Sequence, residues 1–209
     1  MDDSPVLIRR REVSGTLDFL DDPEYRGVLL IGSRGYGKSA ILYMVREELK
    51  RQGRAAFLIS VASLGDPGDL GREVLRELAT SSFAEDDVRT LRTSAGAPSL
   101  QETAGILRRL GARMSAPVLL LDDIDASLTP SRMIAALQEL SLALKGWKFV
   151  ATSQRPIASE LGRFQRFAVT RIRELTQEES TLWIRARFPQ LEDDTTIGSS
   201  TRWLAIRYF

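Results

Sequence analysis

Cysteine and histidine are both absent from this 209-residue sequence. Without cysteine there are no disulfides, thiol nucleophiles or thiolate metal ligands, and without histidine the commonest general base and metal ligand is missing. Any catalysis must draw on carboxylates, arginine, lysine, hydroxyls and a metal ion. Lysine is scarce as well: Lys38, Lys50, Lys145 and Lys148 are the lysines among 29 basic residues, and arginine supplies the rest. That balance suits fork-type contacts with carboxylate or phosphate. Neither sign of charge dominates, since 28 acidic residues leave a net charge of +1. The whole-chain field therefore gives no argument for nucleic acid or an anionic membrane. No apolar run approaches the roughly 18 residues that span a bilayer, and Met1-Asp2-Asp3-Ser4 is unlike a signal peptide. A cytoplasmic protein with no membrane partner is expected. This length accommodates one α/β domain with a good core and a small appendage.

What the chain does have is a complete G-x-x-x-x-G-K-[ST] octet, Gly32-Ser33-Arg34-Gly35-Tyr36-Gly37-Lys38-Ser39, directly after the apolar run Val28 to Ile31. The spacing follows from its chemistry. Glycines let successive backbone N–H groups turn inward around phosphates, the lysine reaches the β- and γ-phosphates, and the serine hydroxyl ligates Mg²⁺. The helix that follows starts at this loop and adds its positive N-terminal end, with Ala40 also expected among the cofactor-binding residues.

Five short apolar runs alternate with helical patterns, which argues for a parallel sheet covered on both faces. Strands are expected at Gly27 to Ile31, Ala55 to Ser60, Val118 to Leu121, Trp147 to Ala151 and Phe167 to Ile172. The first helix should run to about Arg51, with Ile41, Val45 and Leu49 on one face. Leu70, Val74, Leu75 and Leu78, and then Leu100, Leu107 and Leu110, fit helical spacing on either side of a loop at Leu91 to Pro98. Thr129-Pro130 reads as a cap with proline at the first helical position, opening the helix of Met133, Ile134, Leu137, Leu140 and Leu144. Thr176-x-x-Glu179 is a capping box for a helix ending near Phe188. With Thr195 to Phe209 it reads as the start of a helical lid, and Phe209 is expected to interrupt an element. The expected division is a core over residues 1–173 and a lid segment over 174–209.

Val118-Leu119-Leu120-Leu121-Asp122-Asp123 is an apolar strand ending in two carboxylates. Downstream of a phosphate loop, that arrangement can hold Mg²⁺ through Asp122 and orient an attacking water through Asp123. Asp125 reads as a cap or turn residue. The fourth strand runs into Thr152-Ser153-Gln154-Arg155-Pro156, where a polar side chain could reach a γ-phosphate.

The phosphate loop, the carboxylate pair and this polar strand end, in that order, resemble the AAA+ and STAND branch of P-loop ATPases. The resemblance implies an α/β fold, a five-stranded parallel-sheet P-loop NTPase with a helical lid, together with ATP and Mg²⁺ as ligands. Ala151 to Pro156 is similar to the Ala-Thr-Asn-Arg-Pro stretch of AAA ATPases, which implies Gln154 as the γ-phosphate sensor; the Thr-Thr-Arg stretch of STAND proteins of the NACHT and NB-ARC type implies Arg155 instead. Gly162-Arg163-Phe164-Gln165-Arg166 resembles the Gly-Arg-Phe-Asp-Arg of AAA proteins, implying Arg163 as a finger that reaches a neighbouring subunit's nucleotide. Its interval from Pro156 is shorter than the family's, and Glu160 stands at the second finger position. Gly198 to Ala205 is similar to the lid of origin-recognition-type ATPases, implying that Arg202 contacts the nucleotide; the Gly-x-Pro of STAND lids is missing. Val6 to Glu12 resembles the family's segment flanking the adenine.

These features lead to the expectation of a slow Mg-dependent ATPase, a nucleotide-gated switch in a homo-oligomer or larger protein assembly. The shorter Asp123 stands where fast AAA+ enzymes carry glutamate. A self-assembling motor, favoured by Arg163, and a nucleic-acid loader are the alternatives, the last without a recognition motif in the sequence.

Overall fold

The computed structural model describes residues 10–79, 99–127, 130–157 and 166–181. Its elements run α1 (Arg10–Asp21), β1 (Gly27–Ile31), α2 (Lys38–Arg51), β2 (Ala56–Ser60), α3 (Pro67–Ala79), α4 (Leu100–Gly111), β3 (Val118–Asp122), α5 (Pro130–Ala143), β4 (Lys148–Ser153) and β5 (Phe167–Arg171). The strands form one sheet in the order β2-β3-β4-β1-β5, every pair parallel. This is the five-stranded parallel sheet expected from the apolar runs.

Strand alternation sorts the core into two layers. Leu29, Leu119, Leu121, Phe149 and Ala151 join the side chains of α3, α4 and α5 on one face. Val28, Leu30, Val118, Leu120 and Val150 join α1 and α2 on the other. Runs that are apolar at every position are what a sheet buried on both faces requires.

Local chemistry sets the helix boundaries. α2 buries Ile41, Leu42, Val45 and Leu49 and carries Lys50 and Arg51 in its last turn, where they oppose the helix dipole. It closes at Gly53, whose φ of 73° lies in the left-handed region, while Arg54 N–H returns to Leu49 O at 2.9 Å. Ser99 opens α4 with a reciprocal capping box to Glu102, a start signal in addition to the leucine spacing. α1 adds to the expected elements, with Val13 and Leu20 buried at helical spacing. Pro130 does open α5, and the Thr176–Glu179 capping box forms, with residues 177–181 helical. Thr129, the Leu91 to Pro98 loop and the end of that last helix near Phe188 lie outside the described residues.

At the sheet edge where the strands begin, two cations bind backbone carbonyls. Arg26 donates to Ser141 O and Leu144 O at 3.0 and 2.9 Å, and Lys148 donates to Asp22 O at 2.7 Å and to Tyr25 O. Burial lowers the pKa of both groups. Among the described residues no helix is long and apolar enough to cross a membrane.

This packing, and the start of the last helix, can be tested by substitution. Trp147 is fully buried and donates its indole N–H to Leu107 O at 3.2 Å, and a Cβ on Gly111 would overlap the indole nitrogen. Gly111→Ala should therefore lower the unfolding free energy by about 1–2 kcal/mol, overpacking outweighing alanine's better helix propensity; denaturant titration measures it. Glu179 accepts both prongs of Arg173 at 2.8 and 2.7 Å, and these bonds, followed by the Thr176 N–H, hold its pKa down at about 2. A depressed carboxylate stabilises the fold above its ordinary pKa and loses that contribution as pH falls. The stability gap between wild type and Glu179→Gln should thus be fully open at neutral pH and close between about pH 4.5 and 2, as urea unfolding across that range would reveal.

Candidate functional site

All five strands are parallel, so the residues that follow β1, β3 and β4 meet at one edge of the sheet. β4 lies between β1 and β3, with Ile31 opposite Ser153 and Leu121 opposite Ala151. The loop 32–37, the carboxylates from Asp122 and the polar end of β4 are therefore neighbours.

Within the loop the glycines have different jobs. Gly35 and Gly37 sit at φ of 84° and 81° with open space where a Cβ would stand, so their backbone conformation is the constraint. Gly32 is a case of crowding: a Cβ there would stand 2.9 Å from Ile172 O, because Ile172 N–H is bonded to Ile31 O at 2.7 Å. Ser33, Arg34 and Gly35 are exposed, while Tyr36 packs against the apolar layer of α1 and α2. Lys38 is buried, and its ammonium donates to Gly32 O at 2.9 Å and Ser33 O at 3.1 Å. Ser39 is exposed in the first turn of α2, with Ala40 half-buried beside it.

Opposite the loop, Thr152 is wholly buried and bonds three successive residues. Its hydroxyl donates to Asp122 Oδ1 at 2.5 Å and accepts the Asp123 N–H at 2.7 Å, and its carbonyl accepts the Ile124 N–H at 3.0 Å. Asp123 itself has a φ of 52°. Its pKa is raised, chiefly by burial and then by Asp122, with Asp125 adding to the effect; Lys38 and Arg34 pull the other way. Loop cations and strand-end carboxylates thus act on one another.

Asp125 serves the turn after β4. Its carboxylate accepts the N–H groups of Gln154 and Arg155 at 3.0 Å, and its side chain is only 3% exposed. Ser153 Oγ donates to Arg155 O at 2.7 Å, and Ser153 O accepts the Gly32 N–H at 3.1 Å, which ties this turn to the base of the loop. The side chains of Gln154 and Arg155 are exposed at the rim of β4, with Arg155 Nε 3.6 Å from Asp125 Oδ2. Arg163 and Arg202 lie outside the described residues, as do Gly198 to Ala205 and Val6 to Ile8.

The loop fits a polyphosphate: left-handed glycines free of contacts, a buried ammonium whose present partners are neutral carbonyls, and a helix N-terminus directly behind. Among the described residues no three acidic side chains converge on a metal-sized point. Mg²⁺ would rely on Ser39 and Asp122, completed by phosphate oxygens and water, which is how this ion usually binds. Thr152 joins the site without having been a candidate on sequence grounds; its signal is a hydroxyl residue at the end of an apolar strand, in a chain where another apolar strand ends in acid.

The sequence pattern of the AAA domain family matches residues 24–155, more than half of the chain, and the protein belongs to that family. Among solved structures, Cdc6p from Pyrobaculum aerophilum superposes with a TM-score of 0.58 at 19% identity, covering 88% of this chain and 51% of its own. Domain III of the replication initiation protein DnaA from Thermotoga maritima gives 0.55 at 16% identity, covering 86% and 68%. The replication initiator DnaA bound to AMPPCP and single-stranded DNA gives 0.55 at 17% identity, covering 94% and 55%. The fold is that of these P-loop NTPase domains, and the chain spans about half the length of most of these proteins. No curated protein matches the sequence.

Asp125→Ala should remove the acceptor of two backbone N–H groups. Because both residues are partly reachable by water, the loss should be about 1–3 kcal/mol in urea-induced unfolding, with Asp125→Asn retaining part of it.

Proposed function

We propose that this chain binds Mg·ATP at the loop 32–39 and hydrolyses it slowly, serving as a nucleotide-gated switch within a homo-oligomer or larger assembly. The observation that carries the reading is the parallel register, which sets Lys38 and Arg34 in the field of Asp123 beside Asp122. In this reading Gly32 to Ala40 cradle the phosphates, Lys38 neutralises them, Ser39 and Asp122 hold Mg²⁺, and Asp123 orients the lytic water. The metal would supply charge neutralisation on the phosphate oxygens. Gln154 or Arg155 senses the γ-phosphate, Arg163 reaches across a subunit interface, and Arg202 contacts the nucleotide from a lid over residues 174–209, the core being residues 1–173. A cytoplasmic location goes with this reading.

A nucleic-acid loader is the second reading, supported by the likeness to a replication initiator solved with single-stranded DNA. Filter binding with single-stranded DNA, with and without ATP, separates the two.

Calorimetric titration with Mg·ATP tests the assignment. Lys38→Ala removes a cation facing several phosphate charges, so affinity should fall by several-fold to orders of magnitude. Asp123→Asn should bind ATP nearly as wild type while losing turnover, as expected of a group acting in the transition state. Equal affinity of wild type and Lys38→Ala would sink the binding site, and unchanged turnover in Asp123→Asn would move the water-orienting role elsewhere.

A further inference from the structure

Resting on the ATPase reading, we propose that Thr152 is the positioning residue that holds Asp122 and Asp123 in their working arrangement. The ladder between β3 and β4 has Leu121 with Ala151 as its last pair. One residue further on, Thr152 takes over. Its hydroxyl proton goes to Asp122 Oδ1, its hydroxyl oxygen accepts from Asp123 N–H, and its carbonyl accepts from Ile124 N–H. Three consecutive residues are gripped by one.

Each bond has a separate effect. A hydroxyl has one proton, and giving it to Oδ1 fixes the plane of the Asp122 carboxylate while leaving Oδ2 outside this bond. The 2.5 Å separation is that of a short, well-formed O–H···O bond. The second bond acts on the backbone. Successive side chains of a regular strand point to opposite faces of the sheet, so Asp122 and Asp123 could not serve one edge site without a break. The break is the left-handed φ of 52° at Asp123, a conformation that non-glycine residues keep only where their surroundings enforce it. The Thr152 hydroxyl, accepting the Asp123 N–H, holds it here together with the turn bond from Ala126 N–H to Asp123 O. Thr152 is completely buried, so its hydroxyl has no water to turn to in place of these partners.

Thr152→Val preserves branching and volume and deletes the hydroxyl, and Thr152→Ser retains it. In Thr152→Val we expect kcat to fall about tenfold or more and the Mg²⁺ concentration for half-maximal rate to rise by a similar factor. ATP affinity measured without metal should stay at the wild-type value. Amide hydrogen exchange at Asp123 should accelerate about tenfold, with exchange in the β1 and β4 interiors unchanged. Thr152→Ser should return all of these to within a few-fold of wild type. If the valine variant does not fold, Thr152→Ala gives the same comparison against serine. An active wild type beside a hydroxyl-free variant with unaltered kcat, Mg²⁺ dependence and Asp123 exchange overturns the proposal alone. A wild type that neither binds nor turns over Mg·ATP overturns the ATPase reading, and the proposal with it.

Discussion

The insertion of β4 between β1 and β3 is the constraint on which the rest of this molecule depends. Parallel strands all finish at one edge, and neighbouring strands are about 4.8 Å apart, so the ends of β1 and β3 are separated by about 10 Å. Across that interval the Lys38 ammonium is bonded to the carbonyls of its own loop and Asp122 to the Thr152 hydroxyl, and in the proposed reading phosphate and hydrated metal would lie between them. The intervening strand supplies the floor of the gap. It is made of Thr152 and Ser153, two buried residues that exchange hydrogen bonds with the carboxylate side and the loop side respectively.

Charge is distributed along this edge so that little of it is compensated within the protein. Lys38 meets carbonyl dipoles, and Asp122 meets a hydroxyl. The pKa of Asp123 is raised by burial and its acidic neighbours against the opposing pull of Lys38 and Arg34. Asp125, by contrast, spends both oxygens on the turn at 154–155 and stabilises the frame. Adjacent aspartates in one short segment therefore differ in kind. Backbone geometry, more than residue type, separates them.

Much of the fold was legible because a sheet buried on both faces writes itself as unbroken apolar runs. β1 and the end of α2 fall where their residue patterns place them. Departures arise where burial and hydropathy part company. Lys148 to Ser153 forms β4 in place of the expected Trp147 to Ala151: Trp147 is a core residue whose N–H closes a turn to Leu144 O, while Thr152 and Ser153 continue the strand although they look like turn residues. For the same reason Thr152 is inconspicuous in the sequence, whereas Gln154 and Arg155 just beyond it have the polar character expected of a strand-end site. The loop and carboxylate pair were visible because their function requires fixed residue types at fixed spacing. A hydroxyl that positions other residues leaves no such pattern, for its carboxylate partner is 30 residues away in sequence.

The carbonyl contacts of Lys38 bear on how a ligand would enter. A free lysine side chain in solution samples many rotamers, and fixing it costs about 2 kcal/mol of entropy. Here the ammonium is already seated against Gly32 O and Ser33 O, so folding has absorbed that ordering before any anion arrives. An incoming phosphate would trade neutral acceptors for charged ones at a nearly stationary cation. Selection at this loop would then act on the strength of the acceptor, and weakly charged anions would gain little over the carbonyls they displace.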